Sequence, residues 1–246
     1  MNVDLSAGSP RDGVAWPAGT LLARLGARAR ADLLDLGSPR AFGPGRVLIR
    51  QGEPGMHVYL LTSVRAGASA CVKVSARLAN GAESLLDITV SGDVVGEMTL
   101  LRGVARTATV TTCSPVRARV ISGGEFLGFL ARHEEAWPAV GGMVADRLVW
   151  ANDRRLEFAG YPVLARLARA LSVLTARHGY RTSAGHDLGV RLSHDELGKL
   201  IGAGRDAIGK AVARLRDEGL ISVRYRRITV LALPALSAYA DHHMSR

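Results

Sequence analysis

A series of short β-type runs constrains the fold of this chain most strongly. Between Arg46 and Ile121, apolar runs of strand length alternate with Gly, Pro, Asn and Asp, and Asn80-Gly81 falls between two of the runs. Short strands at this spacing are typical of antiparallel sheets that form a sandwich or roll, and Asn-Gly favours a tight hairpin. The sequence therefore predicts an antiparallel β-roll in the first half of the chain.

Helical patterns flank these runs. Leucines recur at helical spacing and predict a first helix from Leu21 to Leu36, and a shorter helical piece follows the roll at residues 123–133. The segment from Ala136 to Gly160 predicts one long helix, because a proline lies near its start and a glycine at its end. A further helix is predicted for residues 163–178, closed by Gly179.

The long helix carries an apolar stripe that favours a helical partner. Val144, Leu148, Ala151 and Phe158 alternate steps of four and three residues, with Arg155 at the skipped position. This spacing is typical of a coiled-coil seam, so the helix is predicted to join two copies of the chain. The alternative is that the stripe packs on the chain's own roll.

The C-terminal part predicts two short helices across a glycine-containing turn. Ser193 followed by Glu196 is a capping box that opens the first helix, Gly202 ends it, and the second helix begins at Arg205. This order is typical of a helix-turn-helix, whose second helix enters the major groove of DNA. Residues 220–233 predict a following hairpin, which makes the module winged.

Polar side chains of this module suit duplex DNA. The exposed face of the second helix is predicted to carry Arg205, Asp206, Gly209 and Lys210. Arg and Lys donate to guanine and a carboxylate accepts from cytosine, so the three charged residues are candidates for reading bases. The candidates for phosphate contacts, at the start of the first helix and at the wing, are Ser193, His194, Arg224, Arg226 and Arg227. The alternative is a helical pair with a solvated charged face.

The net charge is distributed unevenly along the chain. Of the formal charge of +10, residues 161–246 hold 14 Lys or Arg against 7 Asp or Glu, or +7, and the first 160 residues hold +3. A basic C-terminal third indicates a polyanionic partner. The alternative is a general preference for arginine, which raises the isoelectric point without any nucleic acid.

One segment, Gly96 to Val110, keeps a carboxylate and a guanidinium among apolar residues. Glu97 follows Gly96, and Arg106 with Thr107 comes nine residues after Glu97. Carboxylates accept hydrogen bonds from hydroxyls, and guanidiniums donate charge-assisted hydrogen bonds to anions. Either Glu97 and Arg106 pair with each other, or they bind a ligand that carries both hydroxyls and a negative charge.

The order of these parts resembles the cyclic-AMP receptor protein (Crp–Fnr) family of bacterial transcription regulators. The resemblance rests on the turn QGEPG at residues 51–55, on residues 192–221, and on Gly96-Glu97-Met98-Thr99-Leu100 followed by Arg106-Thr107-Ala108. The last segment is similar to the phosphate-binding cassette of cyclic-nucleotide domains. The resemblance implies an α+β chain with a cyclic-nucleotide-binding-like antiparallel β-roll, a long dimerisation helix and a C-terminal winged helix-turn-helix.

The resemblance also implies a cyclic nucleotide, cyclic AMP or cyclic GMP, as effector, with no other cofactor. Glu97 is expected to accept from the ribose, and Arg106 and Thr107 to hold the phosphate. Backbone N–H groups near Gly96 and Met98 are expected to point inward.

Several positions depart from the family pattern. Thr99 stands where the family prefers Gly or Ala, and Ala151 and Asn152 stand where relatives responsive to cyclic AMP place Thr and Ser against adenine. Asn152 has donors and acceptors for a base, whereas the Ala151 side chain has none. Cyclic AMP, cyclic GMP and nucleotide-independent activity therefore stay open as alternatives. Asp206 and Lys210 replace the usual Glu and Arg, so the palindromic operator need not match that of the relatives.

These elements divide the chain into four predicted parts. They are a flexible tail at 1–20, the roll at 21–134, the dimerisation helix at 135–160 and the DNA-binding domain at 161–246. The polar loop from Tyr180 to Gly189 stands where relatives contact RNA polymerase. A rival interpretation is a cyclic-nucleotide sensor whose C-terminal module binds protein.

Other functional classes find little support in the sequence. We find no nucleophile–base pair, metal-ligand cluster or P-loop, so an enzyme or a metal site is not expected. No apolar run is long enough to span a bilayer. Cys71 and Cys113 are too few for a disulfide framework, so a reducing cytoplasm is the expected compartment.

Overall fold

The computed structural model describes residues 16–62, 64–65 and 68–244, and its N-terminal part is an antiparallel roll, as predicted. Its strands are β1 (Ser38–Phe42), β2 (Val47–Ile49), β3 (His57–Leu61), β4 (Val64–Arg65), β5 (Ala68–Ser69), β6 (Cys71–Arg77), β7 (Glu83–Val90), β8 (Val94–Val95), β9 (Thr109–Thr112) and β10 (Val116–Ser122). They form sheets in the orders β1-β10-β3-β8 and β2-β9-β6-β7, with a β4-β5 ribbon. Alternate apolar residues of the two larger sheets, including Leu61, Val72 and Val110, share one core.

The helices lie before, within and after the roll. They are α1 (Leu21–Arg24), α2 (Ala27–Asp35), α3 (Glu97–Arg102), α4 (Gly123–Arg132), α5 (Ala136–Gly160), α6 (Val163–His178), α7 (His194–Ile201), α8 (Arg205–Asp217) and α9 (Leu233–Met244). The predictions of α4, α5 and α6 are confirmed, and α9 was not predicted. No helix within the described ranges combines the length and hydropathy that a bilayer span requires.

The prediction of one helix from Leu21 to Leu36 is wrong. Leu25 and Gly26 adopt extended backbone between α1 and α2. The Gly26 N–H donates to Glu135 Oε1 at 3.2 Å, and the Leu25 side chain is buried. Tertiary contacts therefore replace the helical hydrogen bonds at this point.

The predicted tail at residues 1–20 joins the fold before its end. Residues 1–15 lie outside the described residues. Thr20 is buried and its hydroxyl donates to Pro17 O at 2.8 Å, while Trp16 packs on the core beneath α1. Residues 16–20 are thus part of the N-terminal domain.

The C-terminal domain contains a four-stranded sheet beside its helices. The strands are β11 (Tyr180–Thr182), β12 (Gly185–Arg191), β13 (Ile221–Arg224) and β14 (Arg227–Val230), in the order β11-β12-β14-β13. The predicted polar loop at 180–189 is therefore a hairpin, in which Tyr180 pairs with Asp187. Gly179 ends α6 as predicted, but in extended rather than left-handed backbone. A Cβ at Gly179 would lie 2.6 Å from Thr175 O, so close approach explains the glycine.

Two buried arginines connect α5 and α6 to the end of α7. Arg154 Nη1 donates to Leu200 O at 2.7 Å, and Arg166 Nη1 donates to Ile201 O at 2.8 Å. These carbonyls belong to the last turn of α7, where the helix dipole places partial negative charge. Arg154 also donates to Leu86 O of β7 at 2.6 Å, so one side chain joins the roll, the long helix and the helix-turn-helix.

Candidate ligand-binding site and nucleic-acid interface

The cassette begins with a turn that requires glycine. Gly96 follows β8 with a φ of 94°, and α3 then runs from Glu97 to Arg102. A Cβ at Gly96 would lie 2.7 Å from Arg106 Nη1. The turn therefore allows the Arg106 guanidinium to lie directly against the backbone that precedes α3.

Arg106 is buried and makes its hydrogen bonds to backbone carbonyls. Only 5% of the residue is exposed. Nη1 donates to Gly96 O at 2.8 Å and Nη2 donates to His57 O at 2.7 Å. Burial lowers the pKa of this guanidinium, while Tyr59 and Glu97 oppose the shift. A buried cation held by neutral carbonyls retains a strong attraction for an anion.

Glu97 is buried beside Arg106 but is paired with another residue. Arg147 Nη1, from α5, donates to Glu97 Oε1 at 2.7 Å. Burial raises the pKa of Glu97, and Arg147 is the strongest of the groups that oppose the rise. The interpretation of Glu97 and Arg106 as a mutual ion pair is therefore wrong, because each has its own partner inside the fold.

Arg147 joins the cassette to the turn that precedes it. Its Nη2 donates to Asp93 Oδ2 at 2.8 Å and to Val94 O at 2.9 Å. Burial would lower the pKa of Arg147, but the carboxylates of Asp93, Glu97 and Asp87 outweigh burial and raise it. Arg147 was not predicted from the sequence. The signal there was its spacing of seven residues from Arg154, which puts both arginines on one face of the long helix.

The other predicted ligand residues differ in burial and lie on two separate elements, the cassette and α5. Thr99 is buried, Gly96 and Met98 are half-buried, and Thr107 is exposed next to Arg106. Ala151 and Asn152 are both exposed on α5, between the buried Trp150 and Arg154. The single chain thus leaves these two positions open to solvent, and their assignment to a nucleotide base stays a prediction.

The helix-turn-helix has the local geometry that its sequence predicts. Glu196 N donates to Ser193 Oγ at 3.2 Å and Ser193 N donates to Glu196 Oε2 at 2.7 Å, which completes the capping box. Gly202 ends α7 with a φ of 64°. Ile208 and Leu215 of α8 are fully buried, so the opposite face of α8 points outward.

The structure brings most of the predicted DNA-contacting residues to one surface. Arg205, Asp206 and Lys210 are exposed, and none of them joins an ion pair with another described residue. A groove of about 340 Å³ has walls that include four predicted residues from α7, α8 and the wing. These are Ser193, His194, Arg205 and Arg226. Gly209 lies beside His194, whose Nδ1 would be 3.6 Å from a Cβ added there.

The wing is a two-residue hairpin with an aromatic tip. Tyr225 and Arg226 have positive φ values of 49° and 65°, which is the conformation of a type I′ turn. Tyr225 is 95% exposed and was not identified from the sequence, although it stands among arginines there. Arg224 and Arg226 are exposed as predicted. Arg227 differs, because its guanidinium donates to Asp187 and to the Tyr180 hydroxyl, so a phosphate would have to share it.

Cys71 is buried in the apolar core that α6, α7 and α8 share, where a free thiol packs as a small apolar residue. Within the described ranges, no three His, Cys, Asp or Glu side chains are grouped to hold a metal ion.

Comparison with known proteins matches both halves of the chain. Residues 39–133 match the family model of the cyclic nucleotide-binding domain, and residues 165–239 match that of the Crp-like helix-turn-helix domain. A CRP-like cAMP-activated global transcriptional regulator of Mycobacterium tuberculosis (strain CDC 1551 / Oshkosh) is 27% identical over 192 residues, which cover 78% of this chain and 83% of the relative.

Solved structures share the same fold. The c-di-GMP responsive global regulator CLP of Xanthomonas campestris superimposes with a TM-score of 0.68 at 21% identity, covering 84% of this chain and 100% of that one. A transcriptional regulator of the CRP family from Thermus thermophilus superimposes with a TM-score of 0.64 at 25% identity, covering 83% and 98%. These likenesses extend through both domains.

Proposed function

This chain belongs to the cyclic-AMP receptor protein (Crp–Fnr) family of bacterial transcription regulators, and we propose that it is a homodimeric regulator controlled by a cyclic nucleotide in its roll. The observation that carries this proposal is the buried Arg106, which has carbonyl partners but, among the described residues, no carboxylate partner. The regulator acts by binding rather than by catalysis. We place it in the cytoplasm, where it meets its DNA.

The cassette suits a ligand with a hydroxyl and an anionic phosphate. Arg106 supplies the positive charge for the cyclic phosphate, and the exposed Thr107 hydroxyl lies next to it in the chain. Glu97, held by Arg147, supplies an acceptor for the ribose hydroxyl. The M. tuberculosis relative is named as cAMP-activated, which favours cyclic AMP. The Asn152 side chain provides donors and acceptors that could distinguish adenine from guanine.

The long helix is suited to join two copies of the chain. Leu148 and Leu156 of α5 are 60% and 70% exposed, and Val149 and Phe158 are exposed beside them. Of the predicted stripe, Val144 packs on the chain's own core, whereas Leu148, Ala151 and Phe158 do not. An exposed apolar helix face of this length is stable once a second copy covers it.

The dimer would present two recognition helices to a palindromic operator. Arg205, Asp206 and Lys210 would read base edges, while Ser193, His194 and the wing arginines would hold phosphates. Ligand in the roll would shift α5 and, through Arg154, the end of α7. The hairpin at 180–189 is our candidate surface for RNA polymerase.

Calorimetric titration with cyclic AMP and cyclic GMP tests the effector. We expect micromolar binding of one of them by the wild type and a loss of at least about 100-fold in Arg106→Ala, since a buried charged hydrogen-bonding group is removed. Arg102→Ala is the matched control, because Arg102 is exposed on α3 of the same cassette. It should bind like the wild type.

The remaining outcomes separate the alternatives. No heat with either nucleotide, together with operator binding, would identify a nucleotide-independent regulator. Nucleotide binding without a steep dependence of duplex affinity on salt would instead favour a protein partner for the C-terminal module.

A further inference from the structure

The two cysteines of the chain lie opposite each other on neighbouring strands of the roll. Cys71 opens β6, and Cys113 directly follows the last residue of β9. These strands are antiparallel with Val72 paired to Thr112, and the Cys113 N–H donates to Cys71 O at 2.9 Å. Directly opposite residues of such a pair have Cα atoms about 4.5–5.5 Å apart and side chains on one face. A disulfide spans about 4.4–6.8 Å between Cα atoms, so this backbone can accommodate one.

The two thiols are in contact on this face. The hydrogen bond between them lowers the pKa of Cys71 and raises the pKa of Cys113. The ammonium of Lys73, two residues further along β6, favours a thiolate at either sulfur. The pair therefore loses its first proton more readily than an isolated buried thiol does, and the two sulfurs share the proton that remains.

The two cysteines differ in their access to solvent. Cys71 is only 1% exposed, whereas Cys113 is half-buried. A small oxidant therefore meets Cys113 first, and Cys71 is the second thiol, in contact with it. An accessible thiol beside a second, resolving thiol is typical of redox-sensing sites, whereas a single buried thiol is inert.

The thiol pair lies where the roll meets the DNA-binding domain. Cys71 belongs to the apolar core that α6, α7 and α8 share, and Cys113 packs against that core. Lys73, on the same face of β6 as Cys71, is paired with Glu196 of α7. Glu196 in turn completes the capping box at the start of the helix-turn-helix. A covalent change at the two sulfurs therefore alters the packing on which α7 rests.

We propose that Cys71 and Cys113 form a reversible modification site, at which hydrogen peroxide converts the two thiols into a disulfide and weakens operator binding. The disulfide draws the sulfurs from thiol contact to about 2.0 Å. Side chains packed on the sulfurs lose part of that contact, so α7 is held less firmly on the roll. The dithiol is the resting form in a reducing compartment, where a disulfide forms only transiently. This response requires neither Arg106 nor a nucleotide in the roll.

The oxidation takes place in two balanced steps. The Cys113 thiolate attacks one peroxide oxygen, the O–O bond breaks, and the sulfur becomes a sulfenic acid. The Cys71 thiolate then attacks the Cys113 sulfur, so that the S–S bond forms and the S–O bond breaks. Hydroxide leaves in each step and takes up the proton that the attacking thiol has lost, which gives two water molecules. The two sulfurs together lose two electrons, and the peroxide gains them.

Peroxide treatment of the full-length protein tests this site. Reduced wild type is treated with hydrogen peroxide, catalase removes the excess, and a sample is unfolded, alkylated and weighed by mass spectrometry. Because the chain has two cysteines, we expect a single chain that has lost two hydrogen atoms and resists alkylation until a thiol reductant is added. Its affinity for the operator duplex, selected by the wild type and measured by fluorescence anisotropy, should fall at least about fivefold and recover with the reductant.

Single-thiol variants assign the effect to the pair. Cys113→Ser, at the half-buried position, should bind the operator like the reduced wild type and keep that affinity after peroxide. Cys71→Ala should do the same, so the result does not depend on how one variant folds. Both variants keep the five methionines and so control for methionine oxidation. Arg106→Ala should form the disulfide like the wild type, which separates this outcome from that of the cassette.

Three results would overturn the proposal. Continued alkylation of both thiols after peroxide would mean that the cysteines serve packing only. A disulfide without any change in operator affinity would mean that its formation does not reach α7. A loss of operator affinity in peroxide-treated Cys113→Ser, as large as in the wild type, would mean that another residue is oxidised.

Discussion

The cassette and the recognition surface, which is formed by the exposed face of α8 and the wing, both depend on charged side chains. The charges are buried in the cassette and exposed on the recognition surface. Inside the protein, Arg106 donates to backbone carbonyls, and Arg147 donates to Glu97. Arg205 and Lys210 are exposed and, among the described residues, have no ionic partner. A buried charge without a partner is costly, whereas an exposed charge is stabilised by water until it meets DNA.

The difference separates two kinds of effect. Charges of the cassette contribute to the stability of the roll as well as to binding, so their replacement should change the free energy of unfolding. Charges of the recognition surface should change only the affinity for DNA. The following four predictions test this separation, from the largest effect to the smallest.

Arg147→Leu should lower the free energy of unfolding by about 3–5 kcal/mol, because it leaves the buried carboxylates of Glu97 and Asp93 without their cation. Denaturant unfolding at neutral pH measures the change. Arg102→Leu, at an exposed position of α3, is the control and should stay within about 0.5 kcal/mol of the wild type. A loss below about 1 kcal/mol for Arg147→Leu would show that water replaces the arginine.

His178 should make stability fall as the pH falls. Its pKa is about 4 in the folded state and 6.5 ordinarily, so between these values the unfolded chain binds more protons. The stability is fully present above pH 6.5 and decreases towards pH 4, by about 3 kcal/mol in total. The burial-raised pKa of Glu97 acts in the opposite direction, so the measurement is the difference between the wild type and His178→Leu. Parallel pH profiles for the two proteins would contradict the assignment.

Arg205→Ala should weaken binding to the selected operator by about 1–3 kcal/mol and leave unfolding unchanged. The duplex is first selected by the wild-type protein from a randomised pool, and fluorescence anisotropy gives the affinities. Arg216→Ala, at the other end of α8, serves as the matched control. If both variants bind alike, α8 does not read bases with its N-terminal end.

Within the wing, Arg226→Ala should reduce the slope of log affinity against log salt by about one, the loss of one phosphate contact. Its unfolding free energy should match that of the wild type. Arg227→Ala should instead lower the free energy of unfolding, as the cassette variants do, because it leaves the buried Asp187 carboxylate without its cation. Equal salt slopes for Arg226→Ala and the wild type would remove the wing from the interface.

Features determined by neighbouring residues could be predicted from the sequence. The capping box at Ser193 and Glu196, the bounds of α5 and the turn at Gly202 depend on local hydrogen bonds and backbone preference. The base-reading candidates of the recognition surface could be predicted from the helical pattern alone, because they needed only to be exposed on one helix.

Features determined by distant residues could not be predicted in this way. Glu97 and Arg147 are 50 positions apart, and Asp187 and Arg227 are 40 apart, so no periodicity relates them. The break at Gly26 depends on Glu135, on the far side of the roll sequence. The cassette was therefore recognised by resemblance, while its internal partners appeared only with the fold.

The hydrogen bonds from Arg154 and Arg166 to the last turn of α7 mean that the orientation of the helix-turn-helix depends on the long helix and on α6. A fragment beginning at Tyr161 would keep Arg166 but lose Arg154, together with the ion pairs that Glu83 and Lys73 make with α7. In this fragment α8 would still pack through Ile208 and Leu215, but the roll and α5 would no longer fix its orientation. Half-site spacing is thus a property of the whole chain.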